Sequence, residues 1–355
     1  MRKITYCDAI REATIQEMER DPNIFLYGID VPDHKGIFGS TLGLQEKFGA
    51  NRVFDTPLSE DTMTGFGLGA ALNGMTPIHV HMRVDFMLLA FNQLVNMISS
   101  YNYSLCGKLR IPFVVRAIVG RGWGQGFQHS KTMHSVFAHV PGLKVVLPTT
   151  AYDAKGLMIS AIRDGNPVII FEHRWLYWQE EEVPEEPYTI PIGDGNIIRK
   201  GDDITIVATS WMNVEAAFAA KILEKNGISV EIVDPRTISP FGNDNNSVGN
   251  NEKLIIDSVK KTGHCIVADN DWLNCGFSAE VASRVSEKCF NVLEKPVKRL
   301  GFANTPCPTA RHLETEFYPN ARNIIKAVES VLNLEPIDLS KESFYTYENK
   351  FKGPF

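Results

Sequence analysis

Short apolar runs alternate with helical segments between residues 24 and 172, and this alternation constrains the fold more than any other feature of the 355-residue chain. The runs are Ile24–Gly28, Arg52–Phe54, Thr76–His81, Pro112–Arg116, Leu143–Pro148 and Pro167–Glu172. Helical spacing of apolar residues is read at 4–20, 41–49, 61–73, 86–103 and 151–163. Strands that are apolar throughout are buried on both faces. Strand–helix alternation of this kind predicts an α/β fold with a mainly parallel sheet covered on each side by helices. Asp21-Pro22-Asn23 ends the first helix. Segment 61–73, dense in glycine and alanine, is expected to pack closely against another backbone.

A chain of this length exceeds one ordinary core, so two domains are expected. The acidic, proline-containing stretch Glu180–Pro187 reads as a linker, and a second α/β pattern begins at Asp203–Ala208. The expected division is 1–185, 186–335 and a tail, 336–355. The tail reads equally as a loose end or as a strap across a partner. Asparagine-rich 243–251 reads as an exposed loop.

The formal net charge of −6 gives no reason to expect nucleic acid or an anionic membrane as partner. The six cysteines show no CxxC spacing, which argues against a zinc site or a disulfide framework and fits a reducing compartment. No stretch reaches transmembrane length, so a cytoplasmic protein is expected.

The candidate site centres on Asp55-Thr56-Pro57-Leu58-Ser59-Glu60, at a strand end just before a helix. Ligand chemistry gathers at the carboxyl ends of strands in such sheets. Locally, Glu60 reads equally as a site carboxylate or as a solvated residue at a helix start. Gly65-Phe66-Gly67-Leu68-Gly69-Ala70 fits a loose dinucleotide-binding pattern, but it lacks the preceding strand, so helix packing is the better reading. Gly193-Asp194-Gly195 reads as a turn rather than a diphosphate-binding motif, because no helix with the required asparagine follows. His79 and His81 alternate along a strand and point the same way, with no third metal ligand at a recognisable spacing. His129, His134 and His139 share no helical face.

Asp55–Glu60, Phe86 with Asn92-Gln93, Gln128-His129-Ser130 and Pro141–Val146 occur in an order and spacing that resemble one family. Pro235–Pro240, Gly276–Glu280 and Gly301–Pro319 extend the likeness, which covers about residues 3–333. The chain resembles the β subunit of the thiamine-dependent 2-oxoacid dehydrogenase E1 component. The resemblance implies a pyrimidine-binding domain followed by a transketolase C-terminal-type domain. It also implies an α-type partner that carries the GDG motif with diphosphate and magnesium, in an α2β2 heterotetramer; a lipoyl acyltransferase is one candidate for a further partner.

In that family a glutamate, matched by Glu60, bonds the aminopyrimidine nitrogen of thiamine diphosphate and favours the imino tautomer that serves as internal base. Phe86 matches the stacking aromatic ring, Leu58 the apolar neighbour, and His129 the histidine facing the reacting centre. Phe113, Ala161, Ile162, Asp164 and Asn166 match a structural potassium site made mostly of backbone carbonyls. A glycine-capped helix end explains the same turn without an ion.

The chain departs from the family in several places. Gly28-Ile29-Asp30-Val31 lacks one usual carboxylate, His79-Val80-His81 stands where a glutamate is common, and Arg83, Trp123, His134 and His173–Trp178 are unusual. His81, Arg83 and His134 are therefore candidates for binding a substrate more polar than pyruvate. The leading expectation is decarboxylation of a 2-oxo acid with transfer of the fragment to lipoamide or another acceptor. The alternatives are half of a split transketolase-type ketol transferase and a non-catalytic scaffold.

Overall fold

The computed structural model describes residues 2–122, 124–242 and 249–344, which gather into two compact units. Described residues of the first unit are 2–122 and 128–192; those of the second are 124–127, 193–242 and 249–344.

In the first unit, strands Ile24–Tyr27, Val53–Phe54, Thr76–His81, Val114–Val119, Lys144–Val146 and Val168–His173 are mutually parallel. Their spatial order is 144–146, 168–173, 114–119, 76–81, 24–27, 53–54. All residues of the 24–27, 76–81, 114–119 and 168–173 strands are buried, as expected for a sheet covered on both faces. From strand 24–27 the chain passes to the 53–54 edge and then returns to the other side of 24–27 as strand 76–81. This reversal opens a crevice at the carboxyl ends of strands 24–27 and 76–81, where open α/β sheets bind ligands. Gly28 keeps the two strand ends close, since a Cβ there would lie 2.3 Å from the Val80 carbonyl oxygen.

Helices Tyr6–Arg20 and Ala151–Arg163 pack together, the first of them also against strand 24–27. Thr5 caps the first by accepting from the Asp8 amide, and Thr150 with Asp153 forms a capping box on the second. Glu17, fully buried, accepts from Arg163 at 2.5 and 2.9 Å and so ties the two helices together.

Several local expectations change. Residues Arg2–Thr5 form a strand rather than the start of a helix, antiparallel to Glu180–Val183 within the stretch expected to be a linker. Lys155 holds the following turn by donating to the Pro184 and Glu185 carbonyls, each at 2.7 Å. The expected 86–103 helix is a series of α, 3-10 and π turns from Val84 to Ser104, with the π segment at Gln93–Ile98. Helix Glu60–Leu72 packs through Gly67 against rings rather than backbone. A Cβ on Gly67 would lie 2.1 Å from the Tyr27 hydroxyl oxygen and 2.7 Å from the Phe113 ring.

In the second unit the strand order is Lys298–Phe302, Cys265–Trp272, Ile204–Ala208, Val230–Asp234, Asn196–Arg199, all parallel except the last pair. Its core joins Ile204, Ile206 and Ile232 of the sheet with Met212 and Leu223 of helix Trp211–Lys225, and with Ile324 and Val328 of helix Ala321–Leu332. The first part of the tail is a strap on its own unit. Ile337 and Leu339 pack on this core, and Phe344 is buried beneath Arg322, whose guanidinium lies 4.6 Å from the ring centroid. Residues 345–355, residues 243–248 of the asparagine-rich stretch, and Trp123 lie outside the described residues. Asn251 is buried at the start of helix Asn251–Thr262 rather than in an exposed loop. No helix among the described residues is long and apolar enough to cross a membrane.

Candidate active site

A cavity of about 170 Å³ lies at the strand ends of the first unit, lined in part by Asp30, Leu58, Glu60, His79, His81 and Phe86. Thr56, Pro57 and Met63 contribute to its wall. Residues of the motif singled out in the sequence and residues of strand 76–81 therefore line the same cavity.

Glu60 is the first residue of helix Glu60–Leu72 and is half-buried. Its carboxylate sits where the positive end of the helix dipole favours an anion. Leu58 is 84% exposed, an apolar side chain with little cover from its own unit. Asp55 is the structural member of the motif. Its Oδ1 accepts from the amides of Asp30, at 2.9 Å, and Thr56, at 2.8 Å, fastening the loop after strand 24–27 to the loop that carries Glu60.

Phe86 also lines the cavity, and its ring meets the His129 imidazole edge-on at 5.2 Å between centroids. His129 is half-buried, and its pKa is lowered by burial first, then by the Arg83 guanidinium; Lys131 also lowers it, and Asp85 opposes the trend. Lys131 donates to Asp85 at 2.8 Å beside Phe86. Arg83 is buried, donates to the Gly120 carbonyl at 3.2 Å, and does not line the cavity.

His81 lines the cavity and carries no charge there. Burial pushes its pKa down to about 3, so the imidazole is neutral. His79 is likewise held neutral by burial and by its neighbour His81. His134 is fully buried, with its ring 6.4 Å from that of Phe171, and is not part of the cavity wall. Of the three substrate candidates, only His81 reaches the cavity.

No group of three or more His, Cys, Asp or Glu side chains among the described residues is arranged to hold a metal ion. At the positions matched to potassium, the Asp164 carboxylate accepts from Lys144 at 2.5 Å and from the Asn166 amide at 2.9 Å. The Phe113 carbonyl accepts from the Val168 amide at 2.9 Å. The Gly193-Asp194-Gly195 turn spends its polar groups internally. Gly193 donates to Thr237 Oγ1 at 3.0 Å, and Gly195 donates to Asn250 Oδ1 at 2.9 Å.

Two features escaped the sequence reading. The first is the series of ring contacts that leads from Tyr27 through His79 to His81. The second is the fully buried Arg116–Glu172 pair, at 2.6 and 2.9 Å, joined by the Tyr177 hydroxyl, which donates to Glu172 at 2.6 Å. A charged residue inside each of two otherwise apolar strands was the available signal for this pair.

The family described as "Transketolase, pyrimidine binding domain" matches residues 2–179, and that described as "Transketolase, C-terminal domain" matches residues 193–324. The chain is 40% identical over 341 residues to the acetoin:2,6-dichlorophenolindophenol oxidoreductase subunit beta of Cupriavidus necator, covering 93% of this chain and 98% of the relative. It is 39% identical over 333 residues to the 2-oxoisovalerate dehydrogenase subunit beta of Bacillus subtilis, covering 93% and 99%. Against the pyruvate dehydrogenase E1 component subunit beta of Porphyra purpurea the identity is 38% over 333 residues, covering 94% and 98%. Among solved structures, a split-gene transketolase described as an inactive beta4 tetramer superposes with a TM-score of 0.72 at 22% identity, over 94% of this chain and 99% of that one, a likeness of fold.

Proposed function

The chain belongs to the β-subunit family of the thiamine diphosphate-dependent 2-oxoacid dehydrogenases, and we propose that it forms the pyrimidine-binding half of such an enzyme's active site. The enzyme decarboxylates a 2-oxo acid and passes the acyl or aldehyde unit to lipoamide or another acceptor. The observation that carries this reading is that a helix-start carboxylate, Glu60, and an aromatic ring, Phe86, line the same small and largely apolar cavity at the chain reversal. Such a cavity suits a flat heteroaromatic ring. Relatives at this identity favour decarboxylation over ketol transfer or a purely scaffolding role.

Thiamine diphosphate, when bound, supplies a nucleophilic carbon and an electron sink. Glu60 would hold a hydrogen bond at the pyrimidine nitrogen, Phe86 and Leu58 would flank the ring, and His129 would give or take a proton at the reacting centre. The internal bonding of the Gly193–Gly195 turn supports assigning diphosphate and magnesium to an α-type partner with the GDG motif. The exposed Leu58 suits a surface that such a partner covers, in an α2β2 assembly. A lipoyl acyltransferase would then receive the fragment, and the assembly would work in the cytoplasm. Potassium, held by carbonyls of Phe113, Ala161 and Ile162 with Asp164 and Asn166, is the proposed structural ion. Replacing potassium by sodium in the buffer is then expected to lower the melting temperature.

The test is purification of the tagged chain from its native host, with identification of its companions and a screen of 2-oxo acids for carbon dioxide release. A companion with the GDG motif, bound thiamine diphosphate and carbon dioxide release are expected. A lone chain that stays inactive after addition of cofactor and magnesium would overturn the reading.

A further inference from the structure

His81 is 4% exposed, lines the cavity beside Glu60, and its Nε2 has no hydrogen-bond partner among the described residues. A buried polar atom without a partner is costly and rare, and at a cavity wall it points to a ligand that completes it. The ring is held in place before any ligand arrives. His79 stacks on Tyr27 with centroids 4.4 Å apart and planes 5° from parallel, and its Nδ1 lies 3.2 Å from Thr64 Oγ1. The His81 ring lies 4.1 Å from that of His79, tilted by 51°. Tyr27 is itself anchored, its hydroxyl donating to the Met63 carbonyl at 3.0 Å.

We infer that His81 hydrogen-bonds the neutral heteroaromatic ring seated beside Glu60, and that His79 is its positioning residue. This rests on the reading of the cavity as a pyrimidine site and assigns His81 to the cofactor rather than to the 2-oxo acid. A neutral imidazole offers one donor and one acceptor and no counter-charge. With Glu60 and Asp30 among the lining residues, a substrate carboxylate would meet two carboxyl side chains and no lysine or arginine. A neutral ring with an amino group and ring nitrogens meets complementary partners instead. Such selection by the absence of charge is as specific as selection by its presence, because the wrong ligand leaves buried groups unpaired.

The test uses the complex of this chain with its partner. The affinity for thiamine diphosphate is measured by calorimetry, and the KM for the 2-oxo acid at saturating cofactor is measured separately, for H81F, H81N, H79F and E60Q. H81F is expected to weaken cofactor binding about 10-fold or more while leaving the donor KM unchanged. H81N should recover part of the loss, and H79F should weaken the same constant less. A rise in donor KM with cofactor affinity intact, or no change in either, overturns the inference. Should H81F fail to assemble with the partner, H81N decides on the same two constants. E60Q separates the two layers of the reading. If it leaves both cofactor affinity and turnover intact, the pyrimidine assignment fails; if it impairs them while H81F and H81N do not, only the role of His81 fails.

Discussion

The ring of Phe86 meets the imidazole of His129 at 85°, edge to face, with centroids 5.2 Å apart. The contact fixes the histidine beside the cavity and half removes it from water. Burial and the Arg83 guanidinium both disfavour its charged form, Lys131 adds to them, and Asp85 works against them. His129 is therefore less protonated than a free histidine at the same pH. The acid limb of the kcat/KM profile is expected below 6.5, the ordinary value for this side chain. R83Q should move that limb upward and D85N downward. A limb that ignores both changes would detach His129 from the chemistry.

Glu60 carries two local readings, a catalytic carboxylate or merely an acid at a helix start, and one substitution separates them. E60Q is isosteric and keeps a hydrogen-bonding head. As a helix-start residue, Glu60 would contribute only about 0.3–1 kcal/mol of stability. As the carboxylate that drives tautomerisation, its loss should cost about 10²–10⁴ in turnover with the melting temperature nearly unchanged. Parallel measurement of turnover and thermal unfolding decides.

Arg116 and Glu172 are both fully buried, and Arg116 also donates to Ser40 at 2.8 Å, binding the loop after strand 24–27 to the centre of the sheet. Removing one member of such a pair leaves an uncompensated charge in the core, costing about 3–5 kcal/mol. R116M should lower the denaturant midpoint accordingly, and R116M with E172L should recover much of it. Equal losses in the single and double variants would show that packing, not charge, sets the cost.

The alternation of apolar runs made the sheet legible, because strands buried on both faces must be apolar throughout. Asp55–Glu60 was legible as a motif at a strand end. The Arg2–Thr5 strand was not, since its partner, Glu180–Val183, is remote in sequence and rich in acid. Short antiparallel edges of that kind owe their pairing to distant contacts rather than to local pattern. The segment Val84–Ser104 carried a helical pattern but not the π turn at Gln93–Ile98, a shift of hydrogen-bond register that side-chain periodicity does not encode. The state of His81 was not legible either, because residue type leaves the charge of an imidazole open and only burial shows a neutral ring.

Burial of His79, His81 and His173 leaves a signature in acid. The pKa of each is depressed in the folded chain; for His81 and His173 it falls to about 3, from the ordinary 6.5. Below pH 6.5 the unfolded chain binds protons at these sites and the folded chain does not, so stability present above 6.5 is lost as pH falls. Each histidine should cost on the order of 1 kcal/mol per pH unit through this window. Carboxylates such as Glu231, whose pKa lies below the ordinary 4.5, release their contribution only at lower pH. The interval from 6.5 to 4.5 therefore isolates the imidazoles. Urea unfolding at pH 7 and pH 5 should show the fall, and H81F should be less sensitive than the parent by about 2 kcal/mol. An H81F variant that loses as much stability as the parent over that interval would mean that the His81 imidazole takes up its proton without unfolding, and that its site is wetter than its 4% exposure implies.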